Sequence, residues 1–567
     1  MFNIKRIVNC DIVLIYHFRR RQEGYAVVSR REILKASAST GLLGSVTMVS
    51  GANGHLEVAL RTRDRAGKSH VTIERVDPSK IAIIAMDVWN YHWCRTWRNR
   101  AASLIPRFNH SFDAARRLGM TLVFSPTNAT RDMHDKPQRK ATLALQSQPL
   151  PPLKNLPDPY PESLRWGMCE CGLGDDCFLT HNANNQHPDL RMAEGDYIAL
   201  TQQEAYNVFT KHGITHIIYS GFATNICVWN KPTGAKFMRQ FGFRCMLARD
   251  LTEAMTGYAE ESFNPTQGTL EVIELIERDL VPSISMEQTL STAHAWQPAI
   301  VDHVHIAPWD RHFGGAPCPI PIQAELTCRH VPGAELRYTL DGADPTSESP
   351  LYIKPIPIED DVVLKTAGFR GGAAVTRISE ARYWKYPKVA DPPDLFLSDL
   401  EPIHEIVGSI QPLSYAVPKK ARFNRSVNGE TLCNRDNKYF KGIGVQSPSE
   451  LVFQLKPEYT RFVALAGVDD ECMRWDSPDG LERWPQWSRP FKGPTSFRIS
   501  QVVFEVRIDG RRVSETPPLF NGERAWSIDV PIPGGSSEIT IAVKDVSSKL
   551  TDPHGHADWL NAGFLLA

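Results

Sequence analysis

The sequence predicts a multidomain protein: an α/β unit built on a doubly wound parallel sheet, followed by two all-β sandwich domains. Three observations predict it. Of the 41 prolines, 15 fall in residues 1–300 and 26 in the remaining 267. Proline is excluded from helix interiors and central strands, so helices belong to the first half, strands and turns to the second. Between residues 78 and 285 short apolar runs alternate with segments of helical spacing, the mark of parallel strands joined by helical crossovers. From about residue 316 short alternating strands and turn residues take over. A length of 567 residues holds about three domains. The 64 basic and 64 acidic residues cancel, which argues against a nucleic acid or anionic membrane as the main partner. No run of 18 apolar residues occurs, so no membrane span is expected in the mature chain.

Each element of the α/β unit has its own signal. Ile81-Ala82-Ile83-Ile84-Ala85-Met86 is a continuous apolar run, read as a strand covered on both faces, and Asp87 closes it. Residues 100–118 have helical spacing and stop at Gly119, and 120–124 form a second buried strand. After a long proline-rich excursion, 202–212 form a helix ended by Gly213, and 214–219 a third strand. A helix over 225–240, a strand over 243–248 and a helix over 268–279 complete the unit.

In such sheets working residues gather at the carboxyl ends of the strands, where Asp87 and Cys227 lie. With Thr224 as N-cap, Cys227 is the third helical residue, close to free N–H groups that lower a thiol pKa. A lone cysteine at a helix start is also a commonplace small buried hydrophobe, and the surrounding motif decides between the two.

That motif is Gly221-Phe222-Ala223-Thr224-Asn225-Ile226-Cys227-Val228. With Asp87 after an apolar strand and the run from Arg249 to Met255, it resembles the isochorismatase-like cysteine hydrolases over about 200 residues. The resemblance implies an Asp, Lys and Cys triad acting on a small amide or related C–N bond, less readily on an ether or ester. Cys227 would be the nucleophile, Asp87 the base, and the backbone N–H groups of Ala223 and Cys227 the oxyanion hole. It also implies a cis peptide between Phe222 and Ala223. The family's lysine is missing from its usual place, which falls near Glu194; none occurs between Lys154 and Lys211. Arg191 and Arg139 are the candidates to substitute, although arginine exchanges no proton at neutral pH.

Trp89, His92 and Trp93 follow Asp87 and are read as the pocket wall. The chemistry requires no cofactor. Some relatives hold a divalent metal with an Asp-x-His element, and Asp132-Met133-His134 has that shape, out of register after the 125–130 insertion. Cys169, Cys171 and Cys177 suit a disulfide or loop staple better than zinc, and Cys318 and Cys328 are spaced to bridge a hairpin.

Ser29-Arg30-Arg31-Glu32-Ile33-Leu34-Lys35 before a weakly apolar run resembles a twin-arginine export signal, so residues 1–54 are read as an N-terminal extension and leader. Translation starting near Val27 or Val28 would account for the odd first segment. This implies the twin-arginine export machinery as a partner and a periplasmic or extracellular destination.

The α/β unit spans 78–285, with 286–315 as linker. In residues 316–386 the run Tyr338-Thr339-Leu340-Asp341-Gly342, then Pro345-Thr346, resembles the small β-sandwich that ends chitobiase and hexosaminidase proteins. Residues 390–567 resemble the NPCBM family of carbohydrate-binding sandwiches, with an insertion at 472–497 carrying Trp475, Trp484 and Trp487. Those rings either stack on sugar faces or cover the sandwich end or the neighbouring domain. Asp469, Asp470 and Asp558 suit capping and turns better than calcium. The combined reading is an exported cysteine hydrolase held on a glycan or cell-surface polysaccharide by its β modules. The alternative is an inactive α/β domain in a carbohydrate-binding surface protein, and a transferase or isomerase on the same nucleophile ranks third.

Overall fold

The structure is a computed structural model describing residues 55–89, 100–126, 133, 135–157, 186–255, 265–307, 320–408, 420–473, 501–520, 522–546 and 555–567. The leader, His92, Trp93, Asp132, His134, Cys169, Cys171, Cys177, Cys318, Trp475, Trp484 and Trp487 lie outside these residues. Among the described residues no helix is long and apolar enough to cross a membrane.

The first part holds one eight-stranded mixed sheet. Its strands are β1 (Leu56–Arg63), β2 (Ser69–Val76), β3 (Ile81–Met86), β4 (Thr121–Ser125), β5 (Tyr197–Ile198), β6 (His216–Phe222), β7 (Arg244–Glu253) and β8 (Ser283–Ile284). The order is β2-β1-β8-β7-β6-β3-β4-β5. From β8 to β5 all pairs are parallel. The β1–β2 hairpin is antiparallel and adds to β8 at Arg61 and Ser283. The sheet therefore starts well before residue 78. Alternation of buried Leu56, Val58 and Leu60 followed by a turn at Gly67 is the signal for this hairpin.

Helices α1 (Ile105–Arg117), α2 (Pro137–Leu143), α3 (Gln202–His212), α4 (Cys227–Asn230), α5 (Ala235–Gln240), α6 (Pro265–Asp279) and α7 (Met286–Thr292) accompany the sheet. Along β3 the residues divide by parity. Ile81, Ile83 and Ala85 join a cluster with Phe108 and Phe112 of α1 and Leu290 of α7. Ala82, Ile84 and Met86 join another with Phe209 of α3, Trp229 of α4, Met238 of α5 and Ile273 of α6. Burying each isoleucine or methionine of the run contributes about 1.5–3 kcal/mol, which is why the run carries no polar residue. In α3, Thr201 and Glu204 form a capping box, and Gly213 ends the helix at φ +59°.

Two readings need correction. The helix expected over 225–240 is broken into α4 and α5, because Pro232 supplies no N–H and forces Lys231 out of the helical region. The segment read as a linker is built structure: α7 is capped by Ser285, and β9 (His305–Ala307) pairs with β10 (Ile322–Thr327) of the next module.

That module has two small sheets. One is β12-β10-β9, with β12 at Ile356–Ile358; the other joins β11 (Glu335–Thr339), β13 (Val362–Arg370), β14 (Ala373–Ala374) and β15 (Ser379–Tyr383). They enclose Leu326, Ile358, Leu364 and Tyr383. Asp341 accepts the Ala343 N–H at 3.0 Å in the expected turn. Cys328 is a free thiol facing the carbonyl of His303, not half of a bridge. The last module packs two six-stranded antiparallel sheets around Phe462, Phe504, Trp559 and Phe564.

Candidate functional site

Strands β3 and β6 are parallel neighbours, with Met86 opposite Gly221. Asp87 and the loop after β6 therefore leave the sheet at the same end. The backbones approach so closely that a Cβ on Gly221 would lie 1.9 Å from the Met86 carbonyl oxygen, and Gly221 has φ +96°. Only glycine fits both demands. Asp87 sits at φ +40°, fully buried, its N–H donating to the Ser125 carbonyl at 3.2 Å.

The Cys227 loop is tied to the end of β7. Thr224 N–H donates to the Glu253 carbonyl at 2.9 Å, and the Thr224 and Thr252 hydroxyls bond at 2.6 Å. Thr252 Oγ1 also donates to the Gly221 carbonyl at 2.7 Å, while Asn225 pairs with the backbone of Met255 at 2.8 and 2.9 Å. With its hydroxyl engaged by Thr252, Thr224 does not cap the helix; α4 begins at Cys227 itself, after Ile226. The peptide between Phe222 and Ala223 is cis, as the resemblance implies.

Burial pushes the Cys227 thiol well above its ordinary pKa, and the Asp87 charge pushes it further. Lys231 and the Ala223 N–H pull the other way without prevailing. This corrects the expectation of a thiol lowered by its helix: a single turn carries little dipole, and the desolvated sulfur beside a carboxylate keeps its proton.

A cation reaches Asp87 from the segment just after Cys227. Lys231 Nζ lies 2.7 Å from Asp87 Oδ1 and 2.7 Å from the Ser125 carbonyl oxygen. Pro232 ends α4 and leaves Lys231 extended at ψ 156°, and Thr233 anchors the turn through Ser125 Oγ at 2.6 Å and Tyr219 Oη at 3.0 Å. Asp87 Oδ2 is buried and has no hydrogen-bond partner of good geometry, so one oxygen is held by the ammonium and the other is left for the thiol. The pair Lys231-Pro232 was the available signal.

Arg139 and Arg191 do not serve here. Arg139 makes a two-pronged pair with Glu204 at 2.7 and 2.8 Å, and Arg191 pairs with Asp113. Trp89 packs in the same apolar cluster as Phe222 and Ala223 and bridges to Gln186. In the last module Asp470 accepts the N–H groups of Arg435 and Asp436 at 3.0 and 2.8 Å, and Asp469 those of Cys433 and Glu471 at 3.0 and 2.7 Å. These are turn-capping roles. Among the described residues no group of three ligands could hold a metal ion.

Two family models match segments of the second half of the chain. Residues 394–565 match the NPCBM/NEW2 domain, and residues 319–380 the Chitobiase/beta-hexosaminidase C-terminal domain. Among solved structures the chain is similar to a CBM51 from Clostridium perfringens GH95 in complex with methyl-galactose, at 22% identity and TM-score 0.22, over 30% of this chain and 97% of that one. It is similar to CBM51-2 and INT domains of Clostridium perfringens ZmpB in complex with GlcNAc, at 22% identity and TM-score 0.22, over 36% of this chain and 38% of that one. A cysteine hydrolase from Pseudomonas syringae pv. phaseolicola 1448A is similar at 12% identity and TM-score 0.25, over 39% and 96%. Comparison with curated proteins gives no match. The second half of the chain thus carries two β domains, one matching each of these families.

Proposed function

We propose that the α/β unit is a cysteine hydrolase of the isochorismatase-like class acting on a small amide or related C–N bond, and that the β modules hold it on a glycan-bearing surface outside the cytoplasm. The observation that carries the hydrolase reading is Lys231 Nζ at 2.7 Å from Asp87 Oδ1, beside Cys227. It supplies the cation whose absence favoured an inactive domain. Asp87 Oδ2 takes the thiol proton as Sγ attacks the carbonyl carbon, while Lys231 holds the other oxygen and orients the carboxylate. The N–H groups of Ala223 and Cys227 receive the oxyanion. As the C–N bond breaks, the amine leaves with the proton from Asp87, and a thioester remains on Cys227. Water then attacks, giving its proton to Asp87; the C–S bond breaks, the sulfur is reprotonated and the acid departs. A thiol protonated at rest makes Asp87 indispensable.

Acyl trapping tests this. p-Nitrophenyl acetate should leave one acetyl group on the Cys227 peptide by mass spectrometry, and Asp87→Asn should slow the transfer about 100-fold or more. Acetylation that is equal in Cys227→Ala would overturn the reading.

The NPCBM/NEW2 match over residues 394–565 supports the glycan role, and the Ser29–Lys35 motif supports export. On a glycan array the full chain should bind, and replacing Trp475, Trp484 and Trp487 together by alanine should weaken binding about tenfold or more, since each stacked ring contributes about 0.5–1.5 kcal/mol. Undiminished binding would place the contact elsewhere.

A further inference from the structure

One side chain from the small sandwich takes three oxygens at the end of β7. Arg329, two residues beyond β10, donates through Nε and Nη2 to Glu253 Oε1 at 3.1 and 2.7 Å. Its Nη1 donates to the Arg249 carbonyl at 3.2 Å, and Nη2 also reaches the Thr252 carbonyl. The side chains of Arg329 and Glu253 are only 10% and 7% exposed. The other oxygen of Glu253 accepts from Thr269 Oγ1 at 2.7 Å. Burial alone would push the Glu253 carboxyl up; Arg329 first, then Arg100, Thr269 and His305, hold it below its ordinary value. Thr252 and Glu253 are in turn the residues from which the Cys227 loop hangs, through Thr224 N–H and the Gly221 carbonyl.

We propose that Arg329 is a positioning residue for the Cys227 loop, which makes the small sandwich part of the α/β unit's site and not a spacer. The guanidinium fork fixes two successive residues of β7, and β7 fixes the loop. The functional meaning rests on Cys227 being the reactive thiol.

The test uses the full chain with Arg329→Ala, Arg329→Lys and, as control, Arg377→Ala. Arg377 lies in the same module, and its Nε donates to the Ile300 carbonyl at 3.0 Å, in the 286–315 segment and away from Glu253. Amide hydrogen exchange over residues 221–228 should rise about tenfold or more in Arg329→Ala, and the iodoacetamide rate at Cys227 should change about fivefold. Arg329→Lys, which keeps the charge without the fork, should raise exchange about threefold and decides the matter if the alanine variant is insoluble. Arg377→Ala should leave both readouts unchanged. Exchange unmoved by either Arg329 variant, or moved equally by Arg377→Ala, overturns the proposal. Exchange reports loop order whatever Cys227 does. If it responds while p-nitrophenyl acetate leaves Cys227 bare, the hydrolase reading fails and the positioning role stands.

Discussion

Lys231→Met should destabilise the α/β unit by about 3–5 kcal/mol, because it leaves a fully buried carboxylate without its cation. Combining it with Asp87→Asn removes both charges and should restore most of that loss, giving a coupling energy in a double-mutant cycle of about the same size. Reactivity should not return with stability. In the wild-type chain the iodoacetamide rate at Cys227 should keep climbing above the ordinary thiol range, since burial and Asp87 raise the thiol. Lys231→Met should move that profile further up, because the ammonium is what pulls the thiol down. Pro232→Ala, which lets α4 run on, should reproduce the profile of Lys231→Met while leaving the lysine in the sequence. A wild-type profile in Lys231→Met would show that the 2.7 Å contact has no bearing on the sulfur.

Among the described glycines, Gly221→Ala should be the most damaging. The added Cβ would meet the Met86 carbonyl oxygen at 1.9 Å and its carbonyl carbon at 2.7 Å, at a φ of +96° that alanine avoids. Met86 is the last residue of β3, registered with Gly221 of β6 on one side and Ser125 of β4 on the other, so neither backbone can retreat without disturbing these pairings. A loss above about 4 kcal/mol is expected. For a unit of this size that lowers the midpoint of its own thermal transition by about 8–16 °C, with the transitions of the β modules unmoved. Gly119→Ala is the contrast: φ is +81° but nothing lies within 4 Å, so it should cost only the backbone strain of about 1–2 kcal/mol. Equal losses in the two variants would contradict the close approach.

The sequence was informative where one force dominates. Ile81–Met86 has no reading other than a strand buried on both faces, and Gly213 and Gly221 mark backbone that a side chain would obstruct. The sequence misled where two signals competed. Helical spacing over 225–240 masks Pro232, and with it the extended Lys231 that pairs with Asp87 from four residues past the cysteine. The β1–β2 hairpin and α7 carry weaker signals, the alternation of Leu56, Val58 and Leu60 and the Ser285 cap. The Arg329–Glu253 pairing has no local signature at all, since 76 residues separate the partners and only the fold brings them together.

Placing Cys227 and Lys231 on one short turn has an evolutionary consequence. The long stretch between β4 and β5 holds none of Asp87, Cys227 and Lys231, so on the proposed mechanism proton transfer makes no demand on its length or composition. On the proposed mechanism, insertions there leave the Asp87–Lys231 pair as it is. The length of that stretch and chemical competence would then be separately heritable traits of one domain.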